Sequence, residues 1–189
     1  NVNGVVRVTR AFIPLIVESR GRIVTTGSIA GILSRPGGSA YSMSKHAMEA
    51  FADSLAEELA PVGVHVSLIE PGSYKSMIRR TTGARIAKTV EAAGGAVTDE
   101  VRQRMKAAAD REVTLEEPDA VSDAAVHALF SETPRRRYMV VPDQVEAEMT
   151  IRKAIEELVQ LNTGHDYSYD RDELVQMLDE ALSPQSASD

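Results

Sequence analysis

Along residues 1–18 the apolar positions Val2, Val5, Val6, Val8, Ala11, Phe12, Leu15, Ile16 and Val17 recur mostly three and four apart. That period predicts a mostly buried helix, stopped by Gly21. The pattern then changes. Arg22 to Gly27 (RIVTTG) is a short β-branched run and predicts a strand, and Gly31, Pro36, Gly37 and Gly38 mark 29–38 as loop. Helical spacing returns over about 39–60, where Ala47, Met48, Phe51, Leu55, Ala56 and Leu59 share a face before Pro61 and Gly63. Val64 to Ile69 (VHVSLI) predicts a second strand, stopped by Pro71-Gly72. Helix–strand–helix–strand with short connections is the pattern of an α/β fold, a parallel sheet covered on both faces.

Residues 73–115 are polar, rich in Ala and Gly, and broken at Ala92-Ala93-Gly94-Gly95. They read as one or two helices forming a mobile lid over a site at the strand ends. Pro118 is expected in the first turn of a helix running to about Phe130, with Ala120, Val121, Ala124, Ala125, Ala128 and Leu129 inward. Tyr138 to Val141 predicts a third strand after the basic triplet Arg135–Arg137, itself read as a solvated loop. Two further helices follow at about 145–161 and 171–182. The first repeats Met149, Ile151, Ile155, Leu158 and Val159, and the second starts at Asp170 with Glu173 in capping-box spacing. The expected organisation is a main body at 1–145, a helical extension at 146–182 and a disordered tail at 183–189. No internal repeat is visible.

Charge sharpens this division. The chain of 189 residues carries 21 Lys+Arg against 28 Asp+Glu, net −7. Residues 146–189 hold 11 of the acids and 3 of the bases, so the main body is almost neutral and the extension is acidic. An acidic balance argues against a nucleic-acid partner, which needs a basic surface. The chain has no cysteine, which excludes disulfides and thiolate catalysis, and its four histidines are too scattered for zinc, so no metal is expected. No apolar run approaches the roughly 20 residues of a membrane span, and no signal peptide is visible, although the chain starts with Asn. A soluble, cytoplasmic protein is the expectation.

The candidate chemistry lies around Tyr41 and Lys45. Four residues apart at the start of a helix, they share one face. A free tyrosine titrates near pH 10, too high for acid–base work at neutral pH; a neighbouring ammonium favours the phenolate. A shift of roughly 3 units takes about 4 kcal/mol of differential stabilisation, feasible in a partly desolvated site. Spacing alone is a weak signal, and a surface Tyr–Lys pair satisfies it equally. Ser28 adds context, because it ends the preceding strand. In an open α/β sheet the functional crevice lies at the carboxyl ends of the strands, where Ser28, the first turn bearing Tyr41, and Pro71-Gly72 would meet.

The segments N-V-N-G at 1–4, T-G-S-I-A-G at 26–31, Y-S-M-S-K at 41–45 and P-G-S-Y-K-S at 71–76, in this order and spacing, resemble the short-chain dehydrogenase/reductase family. The resemblance is nearest to its hydroxysteroid- and retinol-dehydrogenase-like members. It implies the C-terminal half of a Rossmann-type doubly wound parallel sheet, with NAD or NADP as cofactor. It further implies that Tyr41 exchanges a proton with the substrate oxygen while Lys45 assists it and holds the nicotinamide ribose. By the same resemblance Ser28 holds the substrate oxygen, and Asn1, within its helix, positions a water beside Lys45. Tyr41, Lys45, Pro71, Gly72, Tyr74 and Ser76 would contact the cofactor. Ser76 stands where the family usually has Thr, and Tyr74 where an aliphatic residue is common. The family's glycine-rich cofactor loop would lie upstream of Asn1.

The activity so implied is interconversion of a secondary alcohol and a ketone of an apolar small molecule, in a protein that is a homo-oligomer when complete. The rival readings are a non-catalytic fragment acting as an interaction module and a silent family member. Thr26-Gly27 and Gly31-Ile32 imitate a glycine-rich cofactor loop, but Leu33 stands at its last glycine position. Met77 and Met105 are candidates for an apolar substrate pocket. With its first strand lacking a neighbour, the 189-residue chain by itself is expected to be poorly soluble or partly unfolded.

Overall fold

A computed structural model describes residues 1–36 and 38–183, with Arg79 and Arg80 by their backbone alone. The six expected residues of the tail beyond Ser183 lie outside the described residues. The strands are β1 (Arg22–Thr26), β2 (His65–Pro71) and β3 (Arg137–Val140). They form one parallel sheet in the order β1-β2-β3, with Ile23 beside Val66 and Ile69 beside Tyr138.

Side chains alternate across β2 and so define two layers. Val66 and Leu68 point into a cluster with Met48, Ala52, Leu55 and Leu59 of helix α2 (Ser39–Leu59). Ile69 points the other way, to Tyr138 and to Ala124 and Ala128 of helix α5 (Asp119–Phe130). Met48 and Leu68 are each 1% exposed, and burial of such a side chain is worth roughly 1.5–3 kcal/mol. The chain belongs to the α/β class, with helices on both faces of a parallel sheet. Gly63, at φ +76, makes the left-handed turn from α2 into β2, a conformation that glycine adopts without the usual Cβ clash.

Helix α1 (Asn3–Glu18) packs Val5, Ile13, Ile16 and Val17 against the α2 layer, together with Val2 at its N-cap. The expectation of a mostly buried helix is corrected here: Val8, Phe12 and Leu15 are 60%, 53% and 60% exposed, because only one side of α1 meets the core. Asn1 stands before the helix rather than within it, since helix ends fray where the first turn lacks intrahelical partners. The loop at 29–38 contains a 3-10 turn, Ile29–Gly31, and Pro118 occupies the N-cap of α5 rather than its first turn. In α5, Ala120 and Leu129 face solvent; Val121, Ala124, Ala125 and Ala128 form the packed stripe.

Residues 73–115 contain two helices, α3 (Ile78–Ala92) and α4 (Asp99–Val113), separated by Gly94 at φ +74. Helices α6 (Gln144–Leu161) and α7 (Arg171–Leu182) follow β3. The molecule divides into two compact units, residues 1–150 and residues from Ile151 onward. The division falls inside α6 rather than at 145. The first turn of α6 belongs to the first unit, because the Ser73 N–H donates to Glu146 Oε2 at 2.8 Å. In the second unit Asn162 joins both backbone groups of Tyr169 across the α6–α7 turn. Among the described residues no helix is long and apolar enough to cross a membrane.

Candidate active site

The carboxyl ends of β1 and β2 carry the predicted residues. Ser28 follows β1 in extended conformation and caps the 3-10 turn, its Oγ accepting from the Ala30 N–H at 3.1 Å. Its hydroxyl proton is directed at the Pro71 carbonyl at 3.4 Å, the long limit of a hydrogen bond. The Ser28 loop and the end of β2 are thereby brought together.

Tyr41 lies in the first turn of α2 and is 39% exposed. Lys45, one turn on, places Nζ 5.9 Å from the Tyr41 ring centroid and donates to the Thr26 carbonyl at 3.0 Å. That bond ties α2 to the end of β1. Burial lowers the Lys45 pKa, and the Glu49 carboxylate opposes the shift. Asn1 Nδ2 donates to Ser44 Oγ at 3.0 Å, which places Asn1 on the turn of α2 between Tyr41 and Lys45.

The segment 71–76 is more occupied. Gly72 donates to the Val140 carbonyl at 2.7 Å, and a Cβ on Gly72 would overlap the Glu146 carboxylate. Tyr74 is buried; loss of solvent, then Glu116 and Glu146, push its pKa up. Ser76 donates to Glu112 Oε1 at 3.0 Å, and Lys75 pairs with Glu117. The polar neighbours of Tyr74 and Ser76 thus come from α4, α6 and the segment between α4 and α5. Of the two methionines suggested for a pocket, Met77 is 59% exposed, and Met105 packs against Gly83 between α3 and α4.

Sequence reasoning missed a group of charges beneath these residues. Arg137 is not in a solvated loop: it opens β3, with Nε 3.2 Å from Glu49 Oε2 and 3.7 Å from Glu70 Oε1, and NH2 2.7 Å from Asp53 Oδ2. Arg136 pairs with Glu57 at 2.8 Å, and Arg135 lies over the Tyr138 ring at 4.5 Å. Burial of Glu70, reinforced by the neighbouring Glu49 carboxyl group, pushes its pKa up to about 8. The available signal was a lone acid closing an apolar strand, with a second acid four residues after Lys45.

A hydroxyl, a phenol and an ammonium are groups that can exchange or hold a proton at an oxygen. The comparisons with known proteins bear on the family. The sequence profile described as short chain dehydrogenase matches residues 1–87. Retinol dehydrogenase 16 of Rattus norvegicus is 35% identical over 149 residues, 73% of this chain and 46% of the relative. A 3beta-hydroxysteroid dehydrogenase of Caenorhabditis elegans is 37% identical over 152 residues, covering 73% of this chain and 38% of the relative. A solved short-chain dehydrogenase from Streptomyces avermitilis superposes with a TM-score of 0.58 at 24% identity, over 82% of this chain and 55% of that one. The chain belongs to the short-chain dehydrogenase/reductase family. It spans about half the length of the curated relatives it matches.

The donors present fit one end of a nicotinamide dinucleotide. Lys45 and Tyr41 offer an ammonium and a phenol suited to ribose hydroxyls. Segment 71–76 fits less directly, because Glu146 covers Gly72 and Glu112 holds Ser76.

Proposed function

We propose that the complete protein is an NAD(P)-dependent oxidoreductase that interconverts a secondary alcohol and a ketone on an apolar small molecule. The observation carrying this reading is that the Ser28–Pro71 and Lys45–Thr26 bonds hold Ser28 and Lys45 at the strand ends, with the Tyr41 ring 5.9 Å from Lys45 Nζ. NAD or NADP, when bound, supplies the hydride acceptor or donor. Tyr41, Lys45, Pro71, Gly72, Tyr74 and Ser76 are proposed to hold its nicotinamide end, which requires Ser76 to release Glu112.

Tyr41 exchanges the proton at the substrate oxygen as general acid or base. Ser28 donates to the same oxygen; its bond to Pro71 is long, so little is lost when the hydroxyl turns to substrate. Lys45 Nζ stands 5.9 Å from the centre of the Tyr41 ring, and Asn1, bonded to Ser44 on the same turn, positions the solvent side of Lys45. Helices α3 and α4 act as the lid over the substrate. The exposed apolar side of α1 supports a homo-oligomeric complete protein.

Tyr41→Phe in the complete protein is the test. Losing a general acid–base lowers turnover about 10²–10⁴-fold, while cofactor affinity, read by titration, stays within a few-fold. Turnover close to wild type would remove Tyr41 from the role.

A further inference from the structure

The charges beneath the site do not balance. Glu70 is 2% exposed and lies on the side of β2 that faces α2, continuing the row of Val66 and Leu68. There it meets Glu49, whose side chain is 13% exposed. Facing this pair are Lys45 and Asp53 from α2 and Arg137 from β3, while the 3-10 turn contributes only apolar residues. Among the described residues no donor comes within hydrogen-bond distance of Glu49 Oε1 or Glu70 Oε1. Arg137 must serve three carboxyls, and Asp53 holds its closest nitrogen. Buried carboxylates without donors are costly, and two like charges side by side favour retention of one proton. A proton on Glu70, donated to Glu49, removes one charge and satisfies both orphan oxygens.

The position of the pair gives that proton a consequence. Glu49 is four residues beyond Lys45 on α2, and its carboxylate abuts Gly31 in the turn that Ser28 caps. Glu70 directly precedes Pro71, whose carbonyl receives the Ser28 hydroxyl. We propose that Glu70 keeps its proton and donates it to Glu49, and that the two, as one hydrogen-bonded carboxyl–carboxylate pair, are positioning residues that hold Lys45, Ser28 and Pro71 together. The proposal rests on the reading of those residues as the reacting site, but the retained proton is read without turnover.

Infrared difference spectra of the complete protein provide the test. A protonated-carboxyl C=O band should persist at neutral pH, disappear with a midpoint near 8, and be absent in Glu70→Gln. Glu49→Gln, which alters the acceptor, should shift the band and provides the assignment if Glu70→Gln does not fold. A wild-type spectrum with no carboxyl titrating above pH 7, or a band untouched by either variant, overturns the retained proton whether or not the protein turns anything over. For the positioning role, Glu70→Gln keeps a donor and never ionises. At pH 9 about nine tenths of the wild-type pair has lost its proton, so the variant-to-wild-type ratio of kcat should rise up to about tenfold between pH 7 and 9. Parallel pH profiles overturn the positioning role and leave the retained proton standing; a titrating band in a protein with no turnover sinks the oxidoreductase reading instead.

Discussion

At Gly31 a side chain would begin where the Glu49 carboxylate lies, with Glu49 Cγ 2.9 Å and Cδ 3.0 Å from the first added carbon. Glu49 cannot easily swing aside, because Arg137 holds its other oxygen at 3.2 Å. Gly31→Ala is therefore expected to cost about 1–3 kcal/mol, as other overpacked sites do. Gly4, with nothing within 4 Å of an added Cβ, is the control, and Gly4→Ala should cost nothing. Urea unfolding of both variants measures the contrast, and equal midpoints would mean Glu49 is free to move. Glu70 adds a pH dependence at the same place. Its pKa is about 8 in the folded protein against an ordinary 4.5, so between these values only the folded state holds the proton. Stability therefore falls as pH rises through that window and levels off above about 8. Melts at pH 6 and pH 9 should show this fall in wild type and a smaller one in Glu70→Gln. Ser28, Tyr41 and Lys45 were legible in sequence through the combined motifs at 26–31 and 41–45, since the spacing of Tyr41 and Lys45 alone suits a surface pair equally. Glu49, Glu70 and Arg137 were not, since a charged residue in a sequence reads as solvated until a neighbouring strand and helix are seen to bury it.

Helix ends show the opposite balance, because capping is local chemistry. Asp170 Oδ1 accepts from the Asp172 and Glu173 N–H groups at 2.8 and 2.9 Å, and Glu173 returns a bond to the Asp170 N–H at 2.8 Å. This is the capping box expected from the Asp-x-x-Glu spacing, and α7 begins at Arg171 as that spacing predicts. Asp170→Ala should destabilise α7 by about 1 kcal/mol. Amide exchange at Asp172 and Glu173 should accelerate roughly fivefold, an equilibrium change of that size. Unchanged exchange would mean the cap does not limit opening of the first turn. The break between α3 and α4 was legible for the same reason: Gly94 adopts a φ open chiefly to glycine. The exposed side of α1 was not legible, because apolar spacing of three and four is the same whether one helix face is covered or two. The lost information is tertiary: only the α2 layer covers α1, and Val8, Phe12 and Leu15 lie on the other side.

Among the described residues the sheet has three strands and β1 pairs only with β2, although β1 is five residues of mostly β-branched sequence without Pro or Lys. Such an edge is a template for another strand, and proteins usually protect it with charge, proline, a bulge or a covering element. Arg22 is the only charge on β1, and its guanidinium turns to the Ala128 carbonyl at 3.2 Å. Helix α1 in addition exposes Val8, Phe12 and Leu15. The matched relatives are longer, the match covering 46% of retinol dehydrogenase 16. The 189-residue chain expressed by itself should therefore self-associate or melt broadly. Sedimentation velocity across a concentration series should show species growing from the monomer, and thermal unfolding should lack a single sharp transition. Two causes can be separated, because Phe12→Glu alters only the α1 side. If the variant becomes monomeric, the helix surface drives association; if it still aggregates, the β1 edge does. A wild-type chain that stays monomeric and melts cooperatively would show that neither surface is sticky enough to matter, and that the α/β core around Met48 and Leu68 is sufficient to fold.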